Sequence, residues 1–532
     1  MPRVKLFPNY ENAHIYYNRG NAKYEMGDTS GAIADWTKAI EIDPNFADAY
    51  NNRGDAKDDM GDTSGAIADY TKAIEINPND ADAYYDRGLA EGKSGDTSGA
   101  IADWTKAIEI DPNYAAAYYN RGLADFKSGD TSGAIADYTK AIEINPNDAD
   151  AYNNRGNAKR KMGDISGALT DYTKAIEIDP NFADAYNNRG VAKDDMGDTS
   201  GAIADWTKAI DINPNFAAAY TNRGGANYDM GDTSGAIVDW TKAIDINPNF
   251  AAAYYNRGAA KINMGDTSSA LADYTKAIEI DPNDAATYNN RGVAKDDMGD
   301  TSGAIADWTG AIDINPNFAD AYNNRGVAKD DMGDTSGAIA DWTKAIDINP
   351  NYADAFYNRG VAKRKLGDTS GSIADWTKAI EINPNFADAY INRGAAKVNL
   401  GDTSGALTDY TKTIEIDPNY AAAYNSRGLA EFNSGNTSGA IADWTKAIEI
   451  NPNFAAAYNS RGLAEFNSGN TSGAIADWTK AIEINPNFAN AYVNRGIAKY
   501  ISGDKSGGGR DWRKAGDLGD DKAWELIKKY NQ

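Results

Sequence analysis

Cysteine is absent from this 532-residue chain, and histidine occurs once, at His14. Without thiols there is no disulfide, thiolate metal site or cysteine nucleophile, and one imidazole builds neither a catalytic triad nor a paired-histidine zinc site. Positive charge is short: 53 lysines and arginines stand against 78 aspartates and glutamates, for a formal charge of −25. That balance argues against nucleic acid, which needs a basic face, and against an anionic membrane surface. Long apolar runs are also missing, so no stretch is expected to insert in a membrane, and no signal-peptide core follows Met1. Neither a Gly-Lys-Ser/Thr phosphate loop nor a regular Ca²⁺ loop occurs. The expectation is a non-enzymatic chain without cofactors, cytoplasmic by default, with neutral or basic partners.

What is present repeats every 34 residues from Ala13 onward, giving fifteen units that begin at Ala13, Ala47, Ala81 and so on to Ala489. The units starting at Ala421 and Ala455 are identical throughout. Fourteen of the sixteen prolines fall in one slot, and ten of the eleven tryptophans share another with five tyrosines, so no separate domain hides inside the array.

The unit 47–80 reads as two helices. Ala49, Tyr50, Gly54, Ala56 and Met60 put small and aromatic groups on one side of the first. Gly61 supplies the left-handed residue that ends it, and Asp62 caps the second. There Ala66, Ile67, Tyr70, Ala73 and Ile74 form an apolar stripe, which Pro78 terminates. Asn79 is expected to cap the helix that follows. Gly54 and Ala66 carry almost no side chain, so the two helices can approach closely. The recurring Asp-Thr-Ser-Gly corner, as in Asp62–Gly65, reads as a helix cap and not as a hydrolase turn.

Tyr50, Gly54, Ala66, Tyr70, Ala73 and Pro78 together resemble the pattern of the tetratricopeptide repeat family. The resemblance covers residues 13–520 and implies an all-α, right-handed superhelical solenoid of about fifteen helix-turn-helix hairpins, whose first helices line a concave groove. Residues 1–12 are expected as an extended N-terminal segment or cap. Residues 521–532, with Trp524, Leu526, Ile527 and Tyr530, are expected as a C-terminal capping helix. The family usually has leucine where every unit here has arginine (Arg19, Arg53 and their equivalents). An aspartate precedes the second aromatic of every unit, from Asp35 to Asp511. Pairing of these two, between the helices of one unit or between adjacent units, bidentate and orienting, is the expected use of the arginine.

Three sets of residues are candidates for recognition. Asparagine recurs in the first helices at Asn18, Asn52, Asn120, Asn154, Asn188, Asn222, Asn256, Asn290, Asn324, Asn358, Asn392 and Asn494, with Asp86, Ser426 and Ser460 in the remaining copies. This slot resembles the asparagine ladder of the protein O-GlcNAc transferase solenoid, which implies a grip on the main chain of an extended peptide. Asparagine suits that task because its side chain both accepts and donates. The plainer alternative is that it satisfies hydrogen bonds between helices. A second set varies from copy to copy: Tyr24, Asp58, Phe126, Arg160, Asp194, Asp296, Asp330, Arg364, Phe432 and Phe466, each with the residue after it. It gives acidic stations, basic stations at Lys159–Lys161 and Lys363–Lys365, and aromatic stations, a pattern that reads either as specificity or as drift on a solvated face. The third set is Asn436 and Asn470, in Asn-Thr-Ser sequons that matter only if the chain is secreted, a location these sequons leave open.

The functional expectation is a protein-interaction scaffold holding an extended peptide or a partner helix. The alternative is a structural protein that assembles with copies of itself into a fibre or sheath, since near-identical units offer one surface many times over.

Overall fold

In a computed structural model of the chain, residues 8–530 are described, with side chains from Asn12 onward. Thirty-one helices account for every regular element among them: fourteen hairpins, one per repeat within the two units described below, the helices Ala251–Asn263 and Thr267–Ile280 of the remaining repeat, and a last helix, Asp521–Tyr530. Residues 1–7 of the segment expected to be extended lie outside the described residues; its remainder opens the helix Pro8–Glu25.

Local chemistry accounts for each hairpin. The first helix Ala47–Asp59 ends where Gly61 takes φ 83°, a conformation that costs a residue with a Cβ more than it costs glycine. There the Asp62 N–H reaches back to the Lys57 carbonyl at 2.8 Å. The Asp62 carboxylate then accepts from the Gly65 N–H at 3.0 Å and opens the helix Thr63–Ile76. Pro78 follows two residues after that helix ends.

The start of the first helices differs from expectation. The capping position is one residue later than Asn79: Asp80 accepts from the Ala83 N–H at 3.2 Å, whereas Phe or Tyr in most copies gives no side-chain cap. Asn79 instead donates its backbone N–H to the Asn77 side chain at 3.3 Å, so the proline turn holds it out of capping position.

The two helices of a hairpin approach so closely at the glycine of the first that a Cβ on Gly190 would lie 2.7 Å from the Trp206 ring. Successive hairpins bury their stripes on each other: Ala73 and Ile74 of one close on Ala83 of the next, between Tyr50 and Tyr84. This is how a hairpin too small to own a core acquires one. The contacts divide the chain into two units, 1–266 and 267–532, each built by this same packing. At the C-terminal end, Ala523 of the last helix is buried, Leu526 and Ile527 pack near Trp512, and the Tyr530 ring lies 5.2 Å from Tyr500 and 6.0 Å from Trp512.

Candidate functional site: the first-helix face

The arginine slot builds the frame. Arg325 donates Nε and Nη2 to the two oxygens of Asp341 at 2.9 and 2.7 Å, and Nη1 to Thr309 of the preceding hairpin at 3.1 Å. Its guanidinium lies over the Tyr322 ring at 5.5 Å, and Lys329 adds a second cation 2.8 Å from Asp341. The pairing expected from sequence is therefore within a hairpin, while the threonine bond ties one hairpin to the next. The same set recurs at Arg53, Arg189, Arg359 and Arg393. Asp341, 5% exposed, is held in place by this fork.

The asparagine slot is engaged in a way that spacing alone does not reveal. Asn120 and Asn154 donate their amides to Tyr85 and Tyr119 at 3.0 and 2.9 Å, and Asn52 and Asn392 likewise reach Tyr17 and Tyr357. Asn188, Asn222, Asn324, Asn358 and Asn494 donate to Asn153, Asn187, Asn289, Asn323 and Asn459 at 3.0 to 3.4 Å. Each bond joins the sixth residue of one repeat to the fifth of the repeat before it. Asn18 lies in the first repeat, and Asn256, whose fifth-position counterpart is Thr221, makes no such bond among the described residues; the Thr221 hydroxyl donates to the Ala217 carbonyl. Among the described residues no donor reaches the carbonyl oxygen of Asn52, Asn120, Asn154, Asn222 or Asn358.

The exceptions confirm the chemistry. Ser460 cannot extend an amide, and the Asn425 oxygen it faces is buried without a partner. Replacing Ser460 by asparagine is expected to raise stability by about 1 kcal/mol through that missing bond, read as a higher urea midpoint; an unchanged midpoint would contradict the assignment. At Ser426 the fifth-position counterpart is Ile391, which offers no acceptor. Asp86 is the third exception. As a carboxylate it can only accept, so Asn51 turns to donate to it at 3.3 Å and leaves its own oxygen buried and unpartnered.

Burial pushes the Asp86 carboxyl up to about 7, with the Asp55 charge adding to the effect. Burial pushes Asp55 to about 6 despite its bond from Tyr70. A carboxyl with a raised folded-state pKa destabilises the fold at high pH, and the penalty fades as pH falls through 7 toward the unfolded value near 4. Asp86→Asn is therefore expected to stabilise the hairpins around it by about 2 kcal/mol at pH 8 and by much less at pH 5. Amide exchange over residues 47–110 at both pH values reads the difference, and an equal gain at both would refute it.

The variable pair forms a second ladder, from the twelfth residue of one repeat to the thirteenth of the next. Tyr24 donates to Asp59, Lys93 meets Asp58 at 2.5 Å, Arg160 meets Asp195 at 3.1 Å, and Lys365 meets Asp330. Lys161 lies over the Phe126 ring at 4.8 Å, and Lys159 and Lys363 pair with Asp171 and Asp375. Arg364 reaches Asn392 at 3.5 Å. The basic stations thus face neighbours within the chain. Asp194 accepts from Thr199, whereas among the described residues no cation pairs with Asp296 or with Asp297 beside it. Aromatic residues at the twelfth position stack on their own repeat's tryptophan: Tyr24 on Trp36, Phe432 on Trp444 and Phe466 on Trp478, at 5.6 to 5.8 Å.

Asn436 and Asn470 are helix caps, accepting from the Gly439 and Gly473 N–H groups at 3.2 and 3.1 Å. Aspartate holds this position in the other copies. These two repeats also carry Glu431 and Glu465 where most copies have lysine, and burial beside Asp443 and Asp477 raises both carboxyls. Asparagine keeps the cap there without adding another negative charge, whereas Glu91 and Asp125 stand in the same slot of repeats capped by Asp96 and Asp130. Sequence reading missed the fifth-position partners, tyrosine or asparagine in most copies, because the two slots lie 35 residues apart and do not change together.

A stack of 34-residue helical hairpins with small residues at each close approach defines a helical repeat protein. Family models described as TPR repeat match residues 20–194, 226–265, 331–401 and 428–503 in overlapping stretches, and others described as tetratricopeptide repeat match 183–216, 251–284, 273–306 and 387–420. The chain belongs to the TPR repeat family. It is similar to MamA (28% identity, over 30% of this chain and 94% of that one, TM-score 0.30). It is also similar to YrrB, a TPR protein with an unusual peptide-binding site (27%, 35% and 95%, TM-score 0.32), and to a tetratricopeptide repeat protein from Parabacteroides merdae (23%, 47% and 99%, TM-score 0.36). No curated protein matches the sequence significantly. Among the described residues no helix is long and apolar enough to cross a membrane.

Proposed function

We propose that the chain is a protein-interaction scaffold that holds an extended peptide or a partner helix along its first-helix face. The observation that supports this most is the row of asparagine carbonyl oxygens left open once the amides have bridged the repeats. Such a row accepts main-chain N–H groups without reading side chains, and the variable twelfth and thirteenth positions beside it supply selection. The test is a pull-down from the native source with a triple variant, Asn120→Ala, Asn222→Ala and Asn256→Ala, its fold checked by a thermal melt. A discrete partner recovered by the wild type and lost by the variant is the expected result. Equal recovery would sink the peptide-holding role. Asn256 is the cleanest of the three because its amide makes no bond to another repeat.

One observation favours self-assembly as a second reading. A row of large apolar side chains projects into solvent at the ends of the first helices: Met162, Met196, Met230 and Met264 in the first unit, Met298, Met332, Leu366 and Leu400 in the second, all 56 to 61% exposed. Unbranched thioethers repack easily against a second surface. Light scattering over a concentration series checks it, and a chain that stays monomeric throughout removes it.

A further inference from the structure

We propose that the cavity beside Gly92 is an anchor site for an aromatic side chain of a partner peptide that carries a carboxylate next to it. The inference rests on the scaffold reading and assigns one station of it.

Gly92 is the only glycine at the twelfth position of any repeat. It sits inside the helix Ala81–Ser94, where glycine costs about 1 kcal/mol relative to alanine. Nothing in the fold requires it. Its φ is not left-handed, and a Cβ there would meet only Trp104 at 3.8 Å and Ala100 at 3.9 Å, ordinary contact distances. The missing side chain opens a cavity of about 300 Å³ whose floor and walls are Trp104, Ala100, Leu89, Leu123 and Ala124. Trp104 is 6% exposed where Trp36, Trp444 and Trp478 are 1%, and Ala124 is 8% exposed where most of its equivalents are 0%.

The chain itself shows what fits this space. In five other repeats the twelfth residue is a tyrosine or phenylalanine whose ring lies against the equivalent tryptophan: Tyr24–Trp36, Tyr228–Trp240, Phe432–Trp444, Phe466–Trp478 and Tyr500–Trp512, with centroids 5.4 to 5.9 Å apart. Four of these pairs tilt at 50 to 56°, an edge-to-face arrangement that adds to the area buried. Next to Gly92 the tryptophan is in place and the ring is not, so the ring comes from a partner.

The rim selects charge. Lys93 and Lys127 both line the cavity. Lys93 is neutralised by Asp58 at 2.5 Å, whereas exposed Lys127 has no carboxylate partner among the described residues. In a chain of net charge −25 an unpaired lysine at the mouth of an apolar cavity favours a carboxylate beside the inserted ring. Asn120, whose amide is bonded to Tyr85, also lines the cavity, so the anchor is continuous with the row of open carbonyl oxygens.

Fluorescence anisotropy of the full chain with a fluorescein-labelled Gly-Ser-Phe-Asp-Gly-Ser peptide tests this, against the same peptide with Ser for Phe and with Lys for Asp. The phenylalanine peptide should bind at least tenfold more tightly than the serine one, and the lysine peptide should be weakened several-fold. Gly92→Phe, which supplies the ring internally as five repeats already do, should lower binding at least tenfold while leaving the melting temperature equal or higher. Lys127→Ala should lower it several-fold, with Lys127→Arg retaining it. Undiminished binding by both Gly92→Phe and Gly92→Leu would overturn the assignment. So would a wild-type chain that does not prefer the phenylalanine peptide. If that happens while the pull-down still recovers a partner lost by the asparagine variant, the anchor falls and the scaffold stands.

Discussion

Replacing Arg427 by alanine should destabilise its hairpin by about 4 kcal/mol, while Arg359→Ala should cost only about 2 kcal/mol. Both arginines grip their aspartates with two bonds: Arg427 holds Asp443 at 2.8 and 2.7 Å, and Arg359 holds Asp375 at 2.9 and 2.7 Å. Both aspartates are almost fully buried. The difference lies in what remains. Around Asp375 a second cation persists, Lys363 at 2.8 Å. Around Asp443 the equivalent residue is Glu431, whose Oε2 is itself buried without a hydrogen bond, so removing Arg427 leaves two carboxylates and no cation. Burial, reinforced by Asp443, already raises the Glu431 carboxyl, and Arg427 opposes that rise. The Arg427→Ala penalty should therefore be largest at pH 8 and shrink as pH falls and Glu431 takes up a proton. Amide exchange over residues 421–450 and 353–382, at pH 8 and pH 5, measures both. Equal, pH-independent losses at the two sites would show that the neighbouring charge does not matter.

How far such a site can be read without coordinates depends on whether its partners lie in one repeat. Gly61, Asp62 and Pro78 act on their own backbone, and their roles as terminator, cap and stop follow from residue type and position. The arginine–aspartate pairing was legible as a pair of slots, while its placement within one hairpin, and not between adjacent units, comes from the structure. Asn79 was misplaced as a cap because the proline turn shifts the first helix by a residue, a matter of backbone angles that residue type does not disclose. The asparagine ladder was legible as a row and not as a network. Periodicity gives the side of the helix, but whether an amide turns to solvent or to the next repeat depends on the residue 35 positions earlier. That residue is tyrosine for Asn120, asparagine for Asn222 and threonine for Asn256, and only the first two accept the bond. The cavity beside Gly92 was the least visible feature, because it is made by a side chain that is not there.

The largest single loss should come from Trp376→Ala, at about 3 to 5 kcal/mol, with Trp376→Tyr costing only about 1 to 2 kcal/mol. Trp376 is fully buried, donates its Nε1–H to the Tyr357 carbonyl at 3.2 Å, and lies so near Gly360 that a Cβ there would sit 2.7 Å from the ring. Alanine would open a void between two hairpins at once, since the core around Trp376 is continuous with that around Trp342. Tyrosine is already accepted at this slot in five repeats, so its shape is tolerated; the cost is its hydroxyl. Tyr172 and Tyr70 have partners for theirs at the ninth residue of the first helix, Asn157 at 2.8 Å and Asp55 at 2.9 Å. Tyr138 faces Leu123 there, and its hydroxyl is buried without a bond. The residue opposite Trp376 is Val361, so Trp376→Tyr recreates the Tyr138 situation. Adding Val361→Asn to Trp376→Tyr should restore the bond seen at Tyr172 and recover about 1 kcal/mol, whereas Val361→Asn alone should gain less, since the Trp376 Nε1–H is already bonded to the Tyr357 carbonyl. A double-mutant cycle on urea unfolding reads the coupling. Strict additivity would mean that the tyrosine and tryptophan repeats are not distinguished by this hydrogen bond.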